Sequence, residues 1–492
     1  MATAAQQQDE HEAEYGPGIE PERLQFCLDV LAELDDLPVD HPDAIAVRRA
    51  VAGIFRTVKQ RRRQETRARK TANDREVTAR TATGAAGRID DETAGVFGLS
   101  SSTPLGEIAG ILERPRSCYI CKQRFVEVDS FYHQLCPSCA RSSRGRREAR
   151  VDLTGRRALL TGGRAKIGMY IALRLLRDGA HTTITTRFPN DAIRRFSEMP
   201  DSADWLHRLK VVGIDLRDPA QVVALADSVA AEGPLDILIN NAAQTVRRSP
   251  AAYSELIAAE SAPLPAGELP AFEVIGSFGS GSVDRPALPG ARQALTAQEV
   301  TSLALVTGSA SPARIEAGTA IDAGGLVPDL TDTNSWVQTV EEIDPIELLE
   351  VQLCNSTAPF ILVSRLRKAL AASPARRKYV VNVSAMEGQF SRNYKGAGHP
   401  HTNMAKAALN MLTRTSAQEM LEVDRILMTA VDTGWITDER PHPDKMRLHD
   451  EGFHAPLDLV DGAARVYDPI VRGEQGEDLY GCFLKDFEPS AW

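Results

Sequence analysis

At 492 residues the chain exceeds the usual size of one domain and is long enough to bury a large core. Hydrophobic residues at 43% and charged residues at 25% describe a globular protein, and no apolar run reaches the length that spans a bilayer. The formal net charge of −10 argues against a protein that binds nucleic acid as a whole, and the acidic start MATAAQQQDEHEAEYG lacks a signal-peptide pattern, so a cytoplasmic protein is expected.

Residues 1–16 are polar enough to read as disordered. Residues 17–72 read as helical: Leu24, Cys27, Leu28, Leu31 and Leu34 recur at helical spacing, Leu37-Pro38 and His41-Pro42 break the run, and residues 44–70 resume it. That stretch ends in the basic run KQRRRQETRARK, whose lack of interleaved aromatic residues favours a solvated helix face over an RNA-binding one. Residues 73–105, rich in Thr, Ala, Gly and Ser, read as a linker.

Of seven cysteines, Cys27, Cys354 and Cys482 stand alone, and the others form two C-x-x-C pairs. Cys118 and Cys121, then Cys136 and Cys139 across a fourteen-residue spacer, have the two-knuckle spacing of a structural zinc ribbon over residues 106–150. Metal binding would explain how so short a module orders without a core of its own. With four cysteine ligands the site is closed and hence structural. His133, inside the spacer, is expected to be packed or exposed, and the following RSSRGRREAR reads as a basic linker to the next domain.

From Val151 strand and helix patterns alternate as a doubly wound parallel sheet requires. Residues 157–168, RALLTGGRAKIG, read as a buried strand, a glycine turn and a helix start that together cradle a dinucleotide pyrophosphate. Further strands are expected at His181, at 209–216, at 235–245, from Lys378 and from Arg425, with a helix at 346–370. Residues 248–340 have no clean period and read as a long, partly irregular insertion after the fourth of these strands. It would either cover the substrate pocket or present a partner surface.

TGGRAKIG, Asp215, NNAA, Asn355 in CNSTAPF, NVSAMEG, Lys406 in TNMAKAALNML and DTGWIT, in this order, make residues 151–247 and 341–492 resemble the short-chain dehydrogenase/reductase family. The resemblance implies a Rossmann-like α/β domain, a small carbonyl or alcohol substrate, and homo-oligomers pairing through the helices that carry Asn355 and Lys406. It also implies a cofactor site at Thr161, Gly162, Gly163, Arg164, Lys166, Ile167, Gly168, Asp215, Leu216, Asn240, Ala242, Lys406 and Thr437. Arg187 ends the second strand where an acid would accept the NAD ribose, so NADP is favoured, with NAD as the alternative.

Three positions depart from the family pattern. Lys166 stands where the turn normally has a second glycine, Ala385 where the substrate-holding serine is expected, and Thr402 where the proton-donating tyrosine is expected. Asn355 and Lys406 are present. A threonine hydroxyl is too weak an acid to replace the tyrosine, so Tyr394, His399 and His401 are the candidate donors. Two readings follow: an NADP(H)-dependent oxidoreductase with an altered proton donor, or a catalytically inactive dinucleotide-binding scaffold or sensor. The latter would recruit a protein partner through the zinc module and the insertion.

Overall fold

The computed structural model describes residues 18–88, 104, 106–276, 312–317, 320–392, 394–436 and 439–492. The expected disorder of residues 1–16 lies outside these, as do residues 277–311 and 318–319 of the insertion. The chain divides into two units, Met1–Asn73 and Asp74–Trp492. In the first, α1 (Pro21–Glu33) is followed by most of α2 (Pro42–Ala79), as the apolar spacing and the proline break predict.

The second unit begins inside α2, and its first residues correct the linker reading. Residues 74–79 are helical, and Thr81, Ala82, Thr83 and Arg88 are buried. The Thr83 hydroxyl pairs with the buried His133 ring at 2.8 Å, and Arg88 donates to the carbonyls of Ala455 and Leu457, both at 2.6 Å. Small polar residues here satisfy buried backbone rather than provide slack.

β1 (Ile108–Ser117) and β2 (Arg124–Asp129) form an antiparallel hairpin, and α3 (Pro137–Glu148) follows with Cys136 as its N-cap. The expected basic linker is this helix. Three of its four arginines are paired: Arg144 with Asp129 at 2.7 Å, Arg146 with Asp468 at 2.6 Å, and Arg147 with Asp458 at 2.6 Å.

The main sheet comprises β3 (Arg157–Leu160), β4 (His181–Thr186), β5 (Leu209–Gly213), β6 (Ile237–Asn240), β7 (Ala271–Val274), β8 (Lys378–Ser384), β9 (Ile426–Asp432), β10 (Phe483–Lys485) and β11 (Glu488–Ser490). Its order is β11-β10-β9-β8-β6-β3-β4-β5-β7, parallel except for β11. The chain winds from β3 through β4 to β5, then returns to the other side of β3 with β6, the switch that defines a doubly wound, Rossmann-like α/β fold. Three of these strands were not foreseen: β10 and β11, which form one edge, and β7 at the other. β7 belongs to the insertion and pairs with β5 as an added edge.

Helices α4 (Lys166–Arg177), α5 (Pro189–Ser197), α6 (Pro219–Ala231), α7 (Ala358–Ala371), α8 (Pro400–Asp424) and α9 (Leu459–Glu474) cover the two faces. Contrary to the sequence expectation, Pro345–Ala371 contains a stretch long and apolar enough to cross a membrane. Leu362, Val363, Leu366 and Leu370 on it are core residues beside Val380 and Met428, which accounts for its apolarity.

Candidate nucleotide and metal sites

Beyond the carboxyl ends of β3, β4, β6, β8 and β9 lies a cavity of about 1040 Å³. Open sheets place ligands there because the strand order diverges and leaves a crevice. Gly162, Arg164, Lys166, Ile167 and Gly168 line it at one end. Gly162 has φ +69, and a Cβ on it would stand 2.8 Å from Ala242 Cα. A Cβ on Gly168 would stand 2.0 Å from the Gly162 carbonyl oxygen, so α4 can approach the turn this closely only without a side chain there. Ala165 caps α4 without a side-chain acceptor, leaving its first N–H groups for an anion.

Lys166 has φ +52, so the lysine keeps the left-handed backbone natural to the glycine it replaces. Its Cε lies 3.6 Å from the Cβ position of Gly324, in the insertion. Thr161 and Gly163 do not line the cavity. The Thr161 hydroxyl accepts the N–H groups of Asn241 and Ala242, both at 3.0 Å, and a Cβ on Gly163 would meet Ile184 at 2.5 Å. Both positions shape the turn from behind.

Arg187 is an exposed lining residue at the end of β4, its guanidinium 5.6 Å over the Tyr253 ring. Asp215 and Leu216 also line the cavity, and Arg217 grips Asp215 at 2.6 Å. Asn240 does not reach it. As the last residue of β6 its side chain turns into the core and donates to Asn382 at 2.8 Å. Asn241, one residue on, lines the cavity and ties the turn together by donating to the carbonyls of Thr161 and Gly162 at 3.0 and 3.1 Å. Thr437 lies outside the described residues.

At the other end, Asn355 occupies a π-helical turn (Leu353–Thr357) just before α7. Its side chain accepts from the Gln244 N–H at 2.7 Å and donates to the Gln244 carbonyl at 2.9 Å, fixing the loop after β6. Lys406 donates to the Val383 carbonyl at 2.8 Å, and burial lowers its ammonium to about 8 against the opposing influence of Cys354 and Glu387. Ala385 and Thr402 line the cavity between them; Thr402 Oγ1 is buried and has no hydrogen-bond partner among the described residues. Ser384 hydrogen-bonds to Asn410 at 2.6 Å instead.

The three candidate donors separate. Tyr394 is 79% exposed and does not line the cavity. His401 is buried outside the lining, and burial depresses its pKa. His399 does line the cavity. Its ring stacks on Trp336 at 4.0 Å, and Nδ1 lies 2.8 Å from the Trp336 carbonyl. Because a carbonyl only accepts, Nδ1 carries the proton in this contact.

Sequence reasoning missed Asp432 and Glu387, and it left the insertion open between covering the pocket and presenting a partner surface. Asp432, last in β9, is a lining residue whose carboxyl burial pushes up to about 6. Gly324, Leu326 and Trp336 bring the insertion to the cavity wall; Arg164 donates to Gly324 O at 2.8 Å and Arg195 to Ala323 O at 3.0 Å. An acid following a strand was a signal for Asp432, but nothing local marks residues 322–326 as a wall.

Cys118, Cys121, Cys136 and Cys139 place their Sγ atoms within 4.8 Å of one another. Four sulfurs about 2.3 Å from a tetrahedral zinc stand roughly 3.8 Å apart. Cys121 Sγ and Cys136 Sγ are 3.7 Å apart, so the donor set fits that ion. His133 is turned away to Thr83.

Residues 156–259 match the family model described as short chain dehydrogenase. An uncharacterized protein of Acanthamoeba polyphaga mimivirus is 29% identical over 370 residues, 72% of this chain and 71% of that protein. A probable oxidoreductase of Streptomyces antibioticus is 41% identical over 92 residues, which span 19% of this chain and 30% of that protein. The NADPH-bound carbonyl reductase from chicken fatty liver is similar with a TM-score of 0.42 and 18% identity, covering 71% of this chain and 98% of that one.

Proposed function

We infer that this chain is a member of the short-chain dehydrogenase/reductase family and an NADP(H)-dependent oxidoreductase acting on a small carbonyl or alcohol with a relocated proton donor. One observation carries the reading: a single cavity joins the glycine turn and Arg187 to Lys406, Asn355 and the buried Thr402 hydroxyl. The uncapped start of α4 and the two close-approach glycines suit a pyrophosphate. Arg187 suits a 2′-phosphate, since Thr185 and Thr186 before it offer no acid to accept a ribose hydroxyl.

Bound NADPH would supply a hydride to a carbonyl carbon, leaving the chain to deliver one proton to the oxygen. Thr402 Oγ1 can donate a hydrogen bond to that oxygen but is too weak an acid to protonate it. We assign the proton to His399, whose Nε2 can release it while the Trp336 carbonyl holds the ring in place. Lys406 supplies positive charge, and Asn355 holds the loop bearing Gln244. Titration with NADPH and NADH, followed by a carbonyl and alcohol panel, tests the assignment. NADPH should bind more tightly, and Arg187→Ala should erase the preference. Turnover, where seen, should be lost in His399→Phe and kept in Tyr394→Phe.

The second reading, a dinucleotide-binding scaffold without turnover, is favoured by Ala385 and Thr402 standing together where two polarising groups are expected. Binding of NADPH without any hydride transfer over the panel would select it. We further propose one structural zinc per chain on the four cysteines, and pairing of two copies through α7 and α8, where Phe360, Met404 and Met411 are exposed. Metal analysis and the mass in solution test these two.

A further inference from the structure

The first cysteine knuckle reaches the cavity. Between Cys118 and Cys121, Tyr119 is fixed at its backbone, where its N–H donates to Gln134 O at 2.8 Å and its carbonyl accepts Lys122 Nζ. Its phenol points into the α/β domain, where the oxygen accepts the backbone N–H of Trp435 at 2.9 Å and lies 3.6 Å from the Cβ position of Gly434. Asp432, Gly434, Trp435 and Ile436 all line the cavity at the end of β9.

A second contact runs in parallel. Ile436 shares one apolar cluster with Cys118, Leu135, Cys136, Leu457 and Leu459, and Ile167 and Tyr170 of α4 pack against it. Gly462 lets this happen, since a Cβ there would meet Ile436 at 2.3 Å and Ile167 at 3.2 Å. The cysteine module is therefore continuous with the wall of the nucleotide cavity, and the loop after β9 has its polar anchor inside the knuckle.

We propose that Tyr119 is a positioning residue of the nucleotide site, holding the loop after β9 from within the cysteine knuckle so that a metal on the four thiolates governs affinity for the nicotinamide half of NADP(H). The proposal rests on the oxidoreductase reading for which end of the cavity takes the nicotinamide. The metal closes the knuckle, the knuckle orients the Tyr119 ring, and the phenol oxygen fixes a half-buried N–H of the loop. Without that acceptor the N–H is left unsatisfied, and the loop settles elsewhere. The hydrogen bond to Tyr119 comes from the loop after β9; the start of α4 meets the module only through the apolar packing of Ile167 and Tyr170.

The test compares full-length wild type, Tyr119→Phe and chelator-treated wild type for binding of NADPH and of 2′,5′-ADP, which lacks the nicotinamide half. Metal content and melting temperature are measured alongside. Tyr119→Phe should keep its metal and its 2′,5′-ADP affinity while its dissociation constant for NADPH rises about tenfold, the expected effect of one lost hydrogen bond. Chelation should reproduce the split. Unchanged NADPH affinity in Tyr119→Phe overturns the proposal, as does an equal loss for both ligands, which marks a scaffold effect. If wild type binds 2′,5′-ADP but not NADPH, or neither ligand, the oxidoreductase reading itself fails and this proposal falls with it.

Discussion

The Lys406 ammonium donates to the Val383 carbonyl across 2.8 Å, joining α8 to the last turn of β8 inside the core. Burial makes that charge costly, and the ammonium is lowered from 10.5 to about 8. Between those values the unfolded chain holds a proton that the folded chain has released, so stability should rise with pH from about 8 to 10.5. The whole rise is worth roughly 3 kcal/mol at about 1.4 kcal/mol per pKa unit. Lys406→Met should flatten it. Denaturant titrations of both proteins at pH 7.5 and 10 measure the difference, and parallel pH slopes would refute this account.

Asp432 has the opposite sign. Its carboxyl rises from 3.8 to about 6, chiefly through burial, while the Gly434 N–H at 2.9 Å opposes the shift. The folded chain therefore holds the extra proton, and the stability this carboxyl contributes is present below about 4 and lost as pH rises through about 6. Asp432→Asn keeps an acceptor for Gly434 and removes the charge. It should raise the melting temperature at pH 7.5 and have little effect at pH 4. A stabilisation that persists at pH 4 would point to packing instead.

Motif spacing made the strands, the glycine turn and the four cysteines legible before any coordinates, because each is set by neighbours in sequence. Parity was harder. Asn240 and Asn241 are adjacent, yet only the second lines the cavity, since β6 ends at Asn240 and a one-residue difference turns a side chain to the other face. Long-range burial was not readable at all. The arginines of RSSRGRREAR look like a solvated run until Asp458 and Asp468, over three hundred residues later, are placed beside them. The same holds for β7, four residues in a stretch without period, and for the wall around Gly324. Nor does spacing reveal that Cys118 shares an apolar cluster with Ile436 and Leu459, which ties the cysteine module to the α/β domain.

Gly168 tests how closely α4 must approach the glycine turn. An alanine methyl would stand 2.0 Å from Gly162 O and 2.8 Å from Asn241 Nδ2, and the first of these is backbone that cannot rotate away. The helix must shift outward, at a cost of about 1–3 kcal/mol by analogy with overpacked cores. Gly168→Ala should lower the melting temperature and weaken binding of 2′,5′-ADP. Gly396→Ala, with nothing within 4 Å of its Cβ position, is the control and should change neither. Wild-type affinity in Gly168→Ala would show that the close approach is not what forms the phosphate site.

Arg147 joins the cysteine module to the α/β domain through charge. It meets Asp458 at 2.6 and 2.9 Å and Asp461 at 3.1 Å, and its guanidinium lies 4.7 Å over the Phe131 ring. Both carboxylates are buried, and they form the capping box that starts α9. Arg147→Met keeps the packing of the stem but removes the cation that bridges the two buried carboxylates, a loss of about 3–5 kcal/mol for a broken buried pair. The loss should shrink as pH falls, because unpaired buried carboxyls take up protons more readily in the folded chain than in the unfolded one. Restoring neutrality should also help: Arg147→Met with Asp458→Asn is expected to be more stable than Arg147→Met alone, since the asparagine can still cap the helix. Denaturant titrations at pH 5 and 7.5 give the two differences. A cost under about 1 kcal/mol, independent of pH, would place this triad with surface ion pairs and remove it as the electrostatic link between module and sheet.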